Sequence, residues 1–579
     1  MKVLLVGVNA KYIHSNPAIY GLKAYAKEYG KEVEIAEYTI NHRLEAILSD
    51  LYERQADVIA ISCYIWNINM VYDILTELPK ILPEAQLWLG GPEVSFHSQE
   101  ILKKYPQLKG IMIGEGEATF LELLHYYKEQ DRTLESIKGL MLAGGYTGDR
   151  DLTPLEELPF LYENLDGFQN RIIYYESSRG CPFRCSYCLS SIDKKVRLRP
   201  LNLVKKELQF FIDRNVPQVK FIDRTFNCNH EHAKGIWEYI LEHDNGVTNF
   251  HFEIAADLLT DDEIVLLSRM RPGLVQLEIG VQSTNPETLQ AINRVTDMSH
   301  LKDVVDRIRA AGNIHQHLDL IAGLPYEDYE SFAKSFDDVY AMRPQQLQLG
   351  FLKVLKGSPM EEQADAYGVQ YLSKSPYEVI SSNWLPYKDV LRLKRIEEMV
   401  EIYYNSNQFM HILEVMLPVF QSPFSLFEKL AEFYEENHYF VESPARSYRY
   451  QVLLNFMEKY DASGMDFYRE MMTFDLYLRE NLKSRPDFAI DLKEYKTEIK
   501  EFYRKEEKEP EILVAYRDYH SAQTIKMTHM EPFHYNVFAQ TVDEMQKRLD
   551  EPMYLLFDYQ KRNPLTYEAG VIQVDLNKE

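Results

Sequence analysis

Three cysteines in the stretch SSRGCPFRCSYCLS have the clearest chemical potential in this sequence. Cys181, Cys185 and Cys188 follow the spacing C-x3-C-x2-C, and the chain of 579 residues has only five cysteines. This clustering indicates a metal site in a reducing compartment rather than a disulfide framework. Structural zinc takes a fourth protein ligand, usually from a second C-x2-C or a paired histidine. Cys63 and Cys228 are isolated, and no suitably spaced histidine pair lies nearby.

A [4Fe-4S] cluster fits a set of three thiolates, because it leaves one iron without a protein ligand. A small chelating molecule is expected at that iron. The motif, with Tyr187 before its last cysteine, resembles the radical S-adenosylmethionine (SAM) superfamily, in which the amino and carboxylate groups of SAM chelate the open iron. The resemblance implies that the reduced cluster cleaves SAM to a 5′-deoxyadenosyl radical, inside a barrel that excludes water.

Three further stretches carry the same resemblance, in the superfamily's order, over about residues 171–360. Glu253 in FHFEIAA matches the residue that holds the ribose of SAM, and DLIAGLPYED matches the pattern of the fifth strand. The G-x-Q-S turn in LEIGVQSTN is expected next to the same cofactor, through Gly280, Gln282 and Ser283. Tyr187 either packs on adenine or only shapes the cysteine loop; both interpretations stay open.

Alternating strand and helix patterns surround these motifs. Six strand patterns, from RIIYYESSRG to QLQLGFLKVL, predict a partial (β/α)6 barrel over residues 171–365. The cysteines follow its first strand, at the face where barrels place their active sites. The same reasoning makes Asp223, Asp319 and Lys353 candidate catalytic residues. Loop capping is an equal alternative for the two aspartates, and pairing with a carboxylate is the alternative for the lysine.

Residues 1–145 predict a second cofactor domain. Five apolar strand patterns, each followed by a helical pattern, indicate a Rossmann-like, doubly wound parallel sheet. Such sheets bind ligands at the carboxyl ends of their strands. LWLGGPEVS and IMIGEGEATF resemble the strand-end motifs of the cobalamin-binding subclass of the superfamily. The resemblance implies contacts with the corrin and its tail from Ser62, Tyr64, Gly90, Gly91, Glu93, Gly114 and Gly116.

One departure from many cobalamin proteins concerns the lower face of cobalt. The motif D-x-H-x-x-G, whose histidine ligates cobalt, does not occur in the sequence. His14 and His97 lie in strand-end loops, where an ordinary loop histidine is the stronger interpretation. We therefore expect no histidine on cobalt. The alternative to a cobalamin domain is a degenerate nucleotide-like domain that kept its loops for packing.

Residues 146–170 predict a linker, and residues 366–579 predict a helical domain with a small β element that begins at EILVAYRDYH. This domain is expected to cover the barrel mouth and select the substrate, while its aromatic residues pack. His534 and Asp558 stay open as site residues. Cys228 either reaches the cavity or, more commonly for such a residue, is a buried free thiol.

Composition narrows the class of protein. A hydrophobic content of 45% is typical of a globular chain, and a net charge of -25 disfavours a nucleic-acid substrate. No apolar run of about 18 residues occurs, and no signal-peptide pattern opens the sequence, so a cytoplasmic protein is expected. A low-potential cluster implies an anaerobic setting and an electron donor of the flavodoxin or ferredoxin type. This donor would dock on basic residues near the cluster, namely Arg184, Lys194, Lys195, Arg197 and Arg199. The alternative is that these residues only form a solvated loop.

Together these features predict a cobalamin-dependent radical SAM enzyme that methylates an unactivated carbon of a small or unknown substrate. Two alternatives remain open. One is radical cyclisation or oxidation, with cobalamin in electron transfer. The other is a cobalamin or redox sensor, which the complete set of cysteine, ribose and G-x-Q-S elements disfavours, because a sensor need not retain a full cofactor site.

Overall fold

The computed structural model describes residues 1–193 and 195–576. The chain divides into two compact units. The first consists of Met1–Ile314, Ile321–Asp328 and Gly350–Tyr387. The second consists of His315–Leu320, Tyr329–Leu349 and the chain from Lys388 onward.

Seven strands form the N-terminal sheet of the first unit, in the spatial order β2-β1-β3-β4-β5-β6-β7. Their bounds are β1 Val3–Asn9, β2 Val33–Thr39, β3 Val58–Ser62, β4 Gln86–Gly90, β5 Leu108–Met112, β6 Leu140–Leu142 and β7 Gly145–Tyr146. The first five are parallel, as the sequence predicts. The two short antiparallel strands at the edge were not predicted, because two or three residues carry no detectable alternation.

Helices cover both faces of this sheet, which makes it doubly wound. Their bounds are α1 Pro17–Tyr25, α2 Leu44–Arg54, α3 Ile68–Ile81, α4 Pro92–Ser95, α5 Ser98–Lys104 and α6 Glu117–Glu129. One apolar core joins the sheet to α2, α3, α4 and α5, and a second joins it to α1 and α6. Burial on both faces explains why β1 and β3 are uninterrupted apolar runs rather than alternating ones.

A second parallel series follows in the first unit. Its strands pair with one another in the order β8 Ile173–Tyr175, β11 Gln218–Phe221, β12 Asn249–Ile254 and β13 Val275–Gln282. The antiparallel pair β9 Ser178–Arg179 and β10 Arg197–Leu198 flanks the cysteine loop. Further along the chain come β14 His315–Ala322 and β15 Gln346–Phe351. The helices of the series within the first unit are α7 Leu201–Asp213, α8 His230–Glu242, α9 Asp261–Ser268, α10 Pro286–Ala291 and α11 Met298–Ala311. The next helix, α12 Tyr329–Tyr340, belongs to the second unit.

The remaining elements are mostly helical. After the barrel strands come α13 Pro359–Gln363 and the antiparallel pair β16 Gln370–Tyr371 and β17 Val379–Ser381. The helices that follow are α14 Tyr387–Met399, α15 Met410–Met416, α16 Pro423–Glu436, α17 Tyr439–Glu442, α18 Arg449–Tyr460, α19 Met465–Arg479, α20 Lys496–Lys508, α21 Ser521–Met527 and α22 Val542–Met545. An antiparallel sheet ends the fold: β18 Thr528–Tyr535, β19 Arg548–Arg562 and β20 Ala569–Val574. Within the described residues, no helix is both long and apolar enough to cross a membrane.

The prediction of a strand at EILVAYRDYH was wrong. Residues 514–516 form a single 3-10 turn, and the backbone N–H groups of residues 511, 512 and 513 donate to the buried Glu506 carboxylate. Leu513 and Tyr516 are buried in the core, three residues apart. That spacing suits a helical turn rather than the alternation of a strand.

Candidate functional site

A cavity of about 1320 Å³ opens in the first unit, where the strands of both parallel series end. Its wall includes Asn9 from β1 and Gly90 from β4, together with Glu176 after β8 and Arg224 after β11. Sites for drug-sized ligands usually enclose ~300–1,000 Å³. The cavity therefore has room for a ligand larger than those.

Seven of the predicted cofactor-binding residues line this cavity. They are Ser62, Tyr64, Gly90, Gly91, Gly114 and Gly116 from the N-terminal series, and Glu253 from the barrel series. The cysteines, Tyr187, Gly280, Gln282, Ser283 and Glu93 are not among its lining residues. The cavity thus combines the predicted corrin side with the predicted ribose residue of SAM.

Glycine is required at two of these strand ends. Gly91 has φ 111°, and a Cβ atom there would lie 2.5 Å from the Cys63 carbonyl oxygen. Gly114 has φ 76°, and a Cβ atom there would meet nothing within 4 Å. A side chain at position 114 would therefore project into open space. Because glycine has no side chain, a bulky ligand can occupy that space and approach the backbone closely.

Asn16 has an unsatisfied acceptor beside the same wall. Its Nδ2 donates to Ser62 Oγ at 2.7 Å, while its buried Oδ1 finds no hydrogen-bond partner among the described residues. Asn16 precedes α1, yet its side chain makes no capping hydrogen bond. A buried acceptor without a partner is costly, so an amide-bearing ligand such as the corrin fits this position. Sequence reasoning missed Asn16, whose only signal is its place before Pro17.

Two stacked aromatic side chains present a ring face on the wall. Tyr64 and Trp66 stack with ring centroids 4.3 Å apart and planes 6° apart. Trp66 is anchored by its Nε1–H, which donates to the Val8 carbonyl at 3.1 Å, and it remains 44% exposed. A planar ligand could pack on this surface.

The structure of the cysteine loop suits metal binding rather than disulfide formation. All three cysteines are free; Cys181 and Cys185 are buried and Cys188 is half-buried. The Arg294 guanidinium donates to Cys185 Sγ at 3.8 Å, and Thr225 Oγ1 lies 3.5 Å from Cys181 Sγ. A cation directed at a sulfur stabilises its thiolate, so the donor set fits an iron–sulfur cluster. Sequence reasoning missed Arg294.

The G-x-Q-S turn has an unsatisfied acceptor of its own. Gln282 has φ 74°, and its buried Oε1 has no hydrogen-bond partner within the part of the chain that the structure describes. Arg294 Nη2 donates to the Gly280 carbonyl. Ser283 Oγ donates to Glu327 at 2.6 Å, so it is committed to the turn. The Gln282 acceptor fits a nearby donor such as an amino group of SAM. Burial raises the pKa of Tyr187 well above its usual value.

The predicted catalytic residues are placed differently from the expectation. Asp223 is buried and accepts hydrogen bonds from Ser177 N at 3.0 Å, Ser177 Oγ at 2.7 Å and Ser178 Oγ at 2.5 Å. These contacts correspond to its alternative role in loop capping. Lys353 is exposed and forms a backbone bridge with Glu378.

Three more candidates lie in networks of their own, and a fourth, Cys228, is a free thiol. Asp319 belongs to the second unit, where its carboxylate lies 3.0 Å from His317 Nε2. In the same unit, His534 Nδ1 lies 2.8 Å from Glu470, and Asp558 accepts from the Tyr516 hydroxyl. Cys228 is half-buried, and burial raises the pKa of its thiol to about 11.

Charged side chains tie the GEGE loop to the cysteine loop. Arg179 pairs with Glu117 at 2.6 Å and with Glu115 at 3.5 Å. Arg197 pairs with the same Glu115, and Arg199 pairs with Glu207.

Only part of the basic patch expected near the cluster is therefore available for docking an electron donor. Arg197 and Arg199 are not free for docking, because both are half-buried or buried in ion pairs. Arg184 and Lys195 are exposed, and Lys194 lies outside the described residues.

The two loop histidines differ in their surroundings. His14 lines the cavity, with Nδ1 2.6 Å from the Tyr174 hydroxyl, and burial lowers its pKa. His97 Nε2 lies 3.1 Å from Glu361 and does not line the cavity.

Three family models match separate parts of the chain. Residues 3–124 match the B12 binding domain, residues 175–339 the Radical SAM superfamily, and residues 365–557 a protein family of unknown function, DUF4080. The chain therefore carries a cobalamin-binding domain and a radical SAM domain, whose cofactors are cobalamin, a [4Fe-4S] cluster and SAM. In this chain these two matched domains are followed by the DUF4080 match in the C-terminal region.

Individual relatives are distant. The chain is 24% identical over 355 residues to the cobalamin-dependent radical SAM methyltransferase TokK of Streptomyces tokunonensis, which covers 56% of this chain and 51% of TokK. Among solved structures it is similar to the methyltransferase TsrM of Kitasatospora setae (18% identity, TM-score 0.55, 65% and 76% of the two chains). It is also similar to the cobalamin-dependent radical enzyme OxsB (14%, TM-score 0.57, 82% and 80%). The chain thus spans about half the length of TokK, and the structures support the fold.

Proposed function

We propose that this protein methylates an unactivated carbon of a substrate held in the cavity. The observation that carries the proposal is the cavity itself, which brings the strand-end loops of the cobalamin domain together with Glu253 of the radical SAM domain. The names of relatives such as TokK and TsrM, both methyltransferases, support the same reaction.

The overall reaction balances with two molecules of SAM. R–H, two SAM and two electrons give R–CH3, S-adenosylhomocysteine, 5′-deoxyadenosine and methionine. When bound, the cluster supplies electrons for SAM cleavage and cobalamin supplies methyl transfer. We further propose a flavodoxin or ferredoxin type donor for the electrons, and an anaerobic cytoplasmic setting.

The protein's own groups bind and orient the reactants. Cys181, Cys185 and Cys188 would hold the cluster, with Arg294 stabilising the Cys185 thiolate. Glu253 would hold the ribose of SAM. The remaining proposed contacts to SAM are Tyr187, Gly280, Gln282 and Ser283, and those to cobalamin are Asn16, Ser62, Tyr64, Gly90, Gly91, Gly114 and Gly116.

The experiment uses anaerobically purified protein reconstituted with iron, sulfide and cobalamin. It is incubated with methyl-labelled SAM, a reductant and a cell extract. We expect S-adenosylhomocysteine and 5′-deoxyadenosine together, with label in one extract component. A matched variant with Cys181, Cys185 and Cys188 changed to alanine should give neither 5′-deoxyadenosine nor labelled product. Formation of 5′-deoxyadenosine alone by the unmodified protein would contradict methyl transfer and favour a rearrangement or an oxidation.

A further inference from the structure

Most charged side chains on the cavity wall have an opposite charge beside them. Arg179 lies between Glu117 and Glu176, at 2.6 and 2.9 Å. Lys220 Nζ lies 2.9 Å from Glu278. Pairs of this kind are already neutralised and leave little attraction for a charged ligand.

Arg224 differs from these cations. It is exposed, it lines the cavity, and it follows β11 directly. Across residues 1–193 and 195–576, its guanidinium has no ion pair and no hydrogen bond. It therefore presents five N–H donors and a full positive charge to whatever enters the cavity.

The neighbours of Arg224 place it between the two cofactor regions. On one side, Asp223 is fixed by three hydrogen bonds and Thr225 Oγ1 lies 3.5 Å from Cys181 Sγ in the cluster loop. On the other side, Arg224 lines the same cavity as Tyr64, which follows β3. The positive charge of Arg224 opposes the rise that burial causes in the pKa of Tyr64. A substrate that reacts with groups from both the cluster side and the cobalamin side must lie between these two regions, as Arg224 does.

We propose that Arg224 binds a carboxylate or phosphate group of the substrate, so that the substrate of this enzyme is an anion. A guanidinium recognises both groups through paired, charge-assisted hydrogen bonds. The net charge of -25 gives the protein no general attraction for anions, so a single unpaired arginine inside the cavity would select the anion and fix its orientation. This inference rests on the proposed methyl transfer.

The first test does not depend on turnover. The holoprotein with cobalamin and cluster is titrated with inorganic phosphate and with acetate at constant ionic strength, and thermal unfolding is followed. We expect at least one anion to raise the Tm of the unmodified protein and not that of Arg224→Gln. Arg214→Gln is the control, because Arg214 is exposed on the barrel exterior against Phe210 and does not line the cavity. Equal responses of unmodified protein and Arg224→Gln would overturn the proposal and indicate an adventitious ion only.

The second test examines the labelled product of the methylation experiment. We expect it to bind an anion-exchange resin at neutral pH; loss of that charge after phosphatase treatment identifies a phosphate, and retention identifies a carboxylate. Arg224→Gln should lower labelling at limiting extract by about tenfold to a hundredfold, and Arg224→Lys by less.

The outcomes separate the two proposals. A neutral or cationic product would overturn the role of Arg224 and leave methyl transfer intact. Loss of bound cobalamin, or of SAM affinity in equilibrium dialysis, in Arg224→Gln would reassign Arg224 to a cofactor. Absence of label with the unmodified protein, beside an anion response that needs Arg224, would contradict methyl transfer alone.

Discussion

Glu93 is expected to stabilise the loop after β4, which includes Gly91, rather than to contact cobalamin directly. Its carboxylate is 6% exposed, lies 3.2 Å from Lys356 Nζ, and accepts a hydrogen bond from the Tyr377 hydroxyl. Lys356 Nζ also lies 5.0 Å from the centre of the Tyr377 ring. The adjoining Gly90 and Gly91 line the cavity. The segment that includes Lys356 and Tyr377 thus fixes a loop of the N-terminal sheet.

The perturbation that tests this role is Tyr377→Phe, which removes one hydroxyl and keeps the ring. A hydrogen bond to a charged group contributes about 1.5–3 kcal/mol, and Lys356 still pairs with the carboxylate. We therefore expect the free energy of unfolding to fall by about 2 kcal/mol. If all of that energy serves to order the loop for cobalamin, the affinity falls by at most about thirtyfold. Glu93→Gln should weaken binding further, because it also leaves Lys356 without its partner.

The assay is a titration of the protein with hydroxocobalamin, followed by equilibrium dialysis, beside urea unfolding. Tyr29→Phe is the matched control, because the Tyr29 hydroxyl donates to Glu129 at 2.5 Å in the same domain and does not line the cavity. Both variants should lose similar stability, and only Tyr377→Phe should lose affinity. Equal affinities in the two variants would refute the reasoning, since stability alone would then account for the change.

Three further results are expected from single substitutions. Cys185→Ala should lose bound iron and 5′-deoxyadenosine formation, whereas Cys63→Ala should keep its iron, as iron analysis after reconstitution would show. Gly114→Ala should lower cobalamin affinity by more than Gly312→Ala, because both positions have positive φ (76° and 67°) and open surroundings but only Gly114 lines the cavity; equal affinities would contradict this. Burial lowers the pKa of His232 to about 4, so its neutral form stabilises the fold above pH 6.5 and that contribution is lost as pH falls from 6.5 towards 4; His232→Gln should flatten the dependence of urea unfolding on pH in this window, and an unchanged slope would contradict the assignment.

The sequence predicted the parts of the fold that depend on local pattern. The strands at Val3–Asn9 and Val33–Thr39 have the predicted bounds, because long apolar runs at a sheet centre are unambiguous. The N-terminal strands and the barrel strands form separate sheets, as their patterns indicate. The strand at EILVAYRDYH failed because its conformation depends on Glu506, a tertiary contact that no local pattern reveals.

The sequence predicted those residues of the candidate site that belong to recognisable motifs. The cysteine spacing and the glycine-rich strand ends are motif signals, whereas Asn16, Arg224 and Arg294 are single polar residues in ordinary surroundings. Their roles follow from an unsatisfied acceptor, an unpaired charge and a contact with sulfur. Glu93 shows the opposite case, since it lies within a correct motif and yet is buried away from the cavity.

In the GEGE loop, residues 114–117, the glycines and the glutamates have different roles. Its glycines and both its glutamates line the cavity, but the glutamates are bound by Arg179 beside the cysteine loop. A carboxylate engaged by a half-buried guanidinium is poorly available to a ligand, whereas a bare glycine backbone remains accessible. Under the proposed function, the same four residues would offer a surface for cobalamin, and they tie this loop to the cysteine loop. A change in the position of one loop must then strain the ion pairs that hold the other, which physically links the two cofactor sites within the first unit.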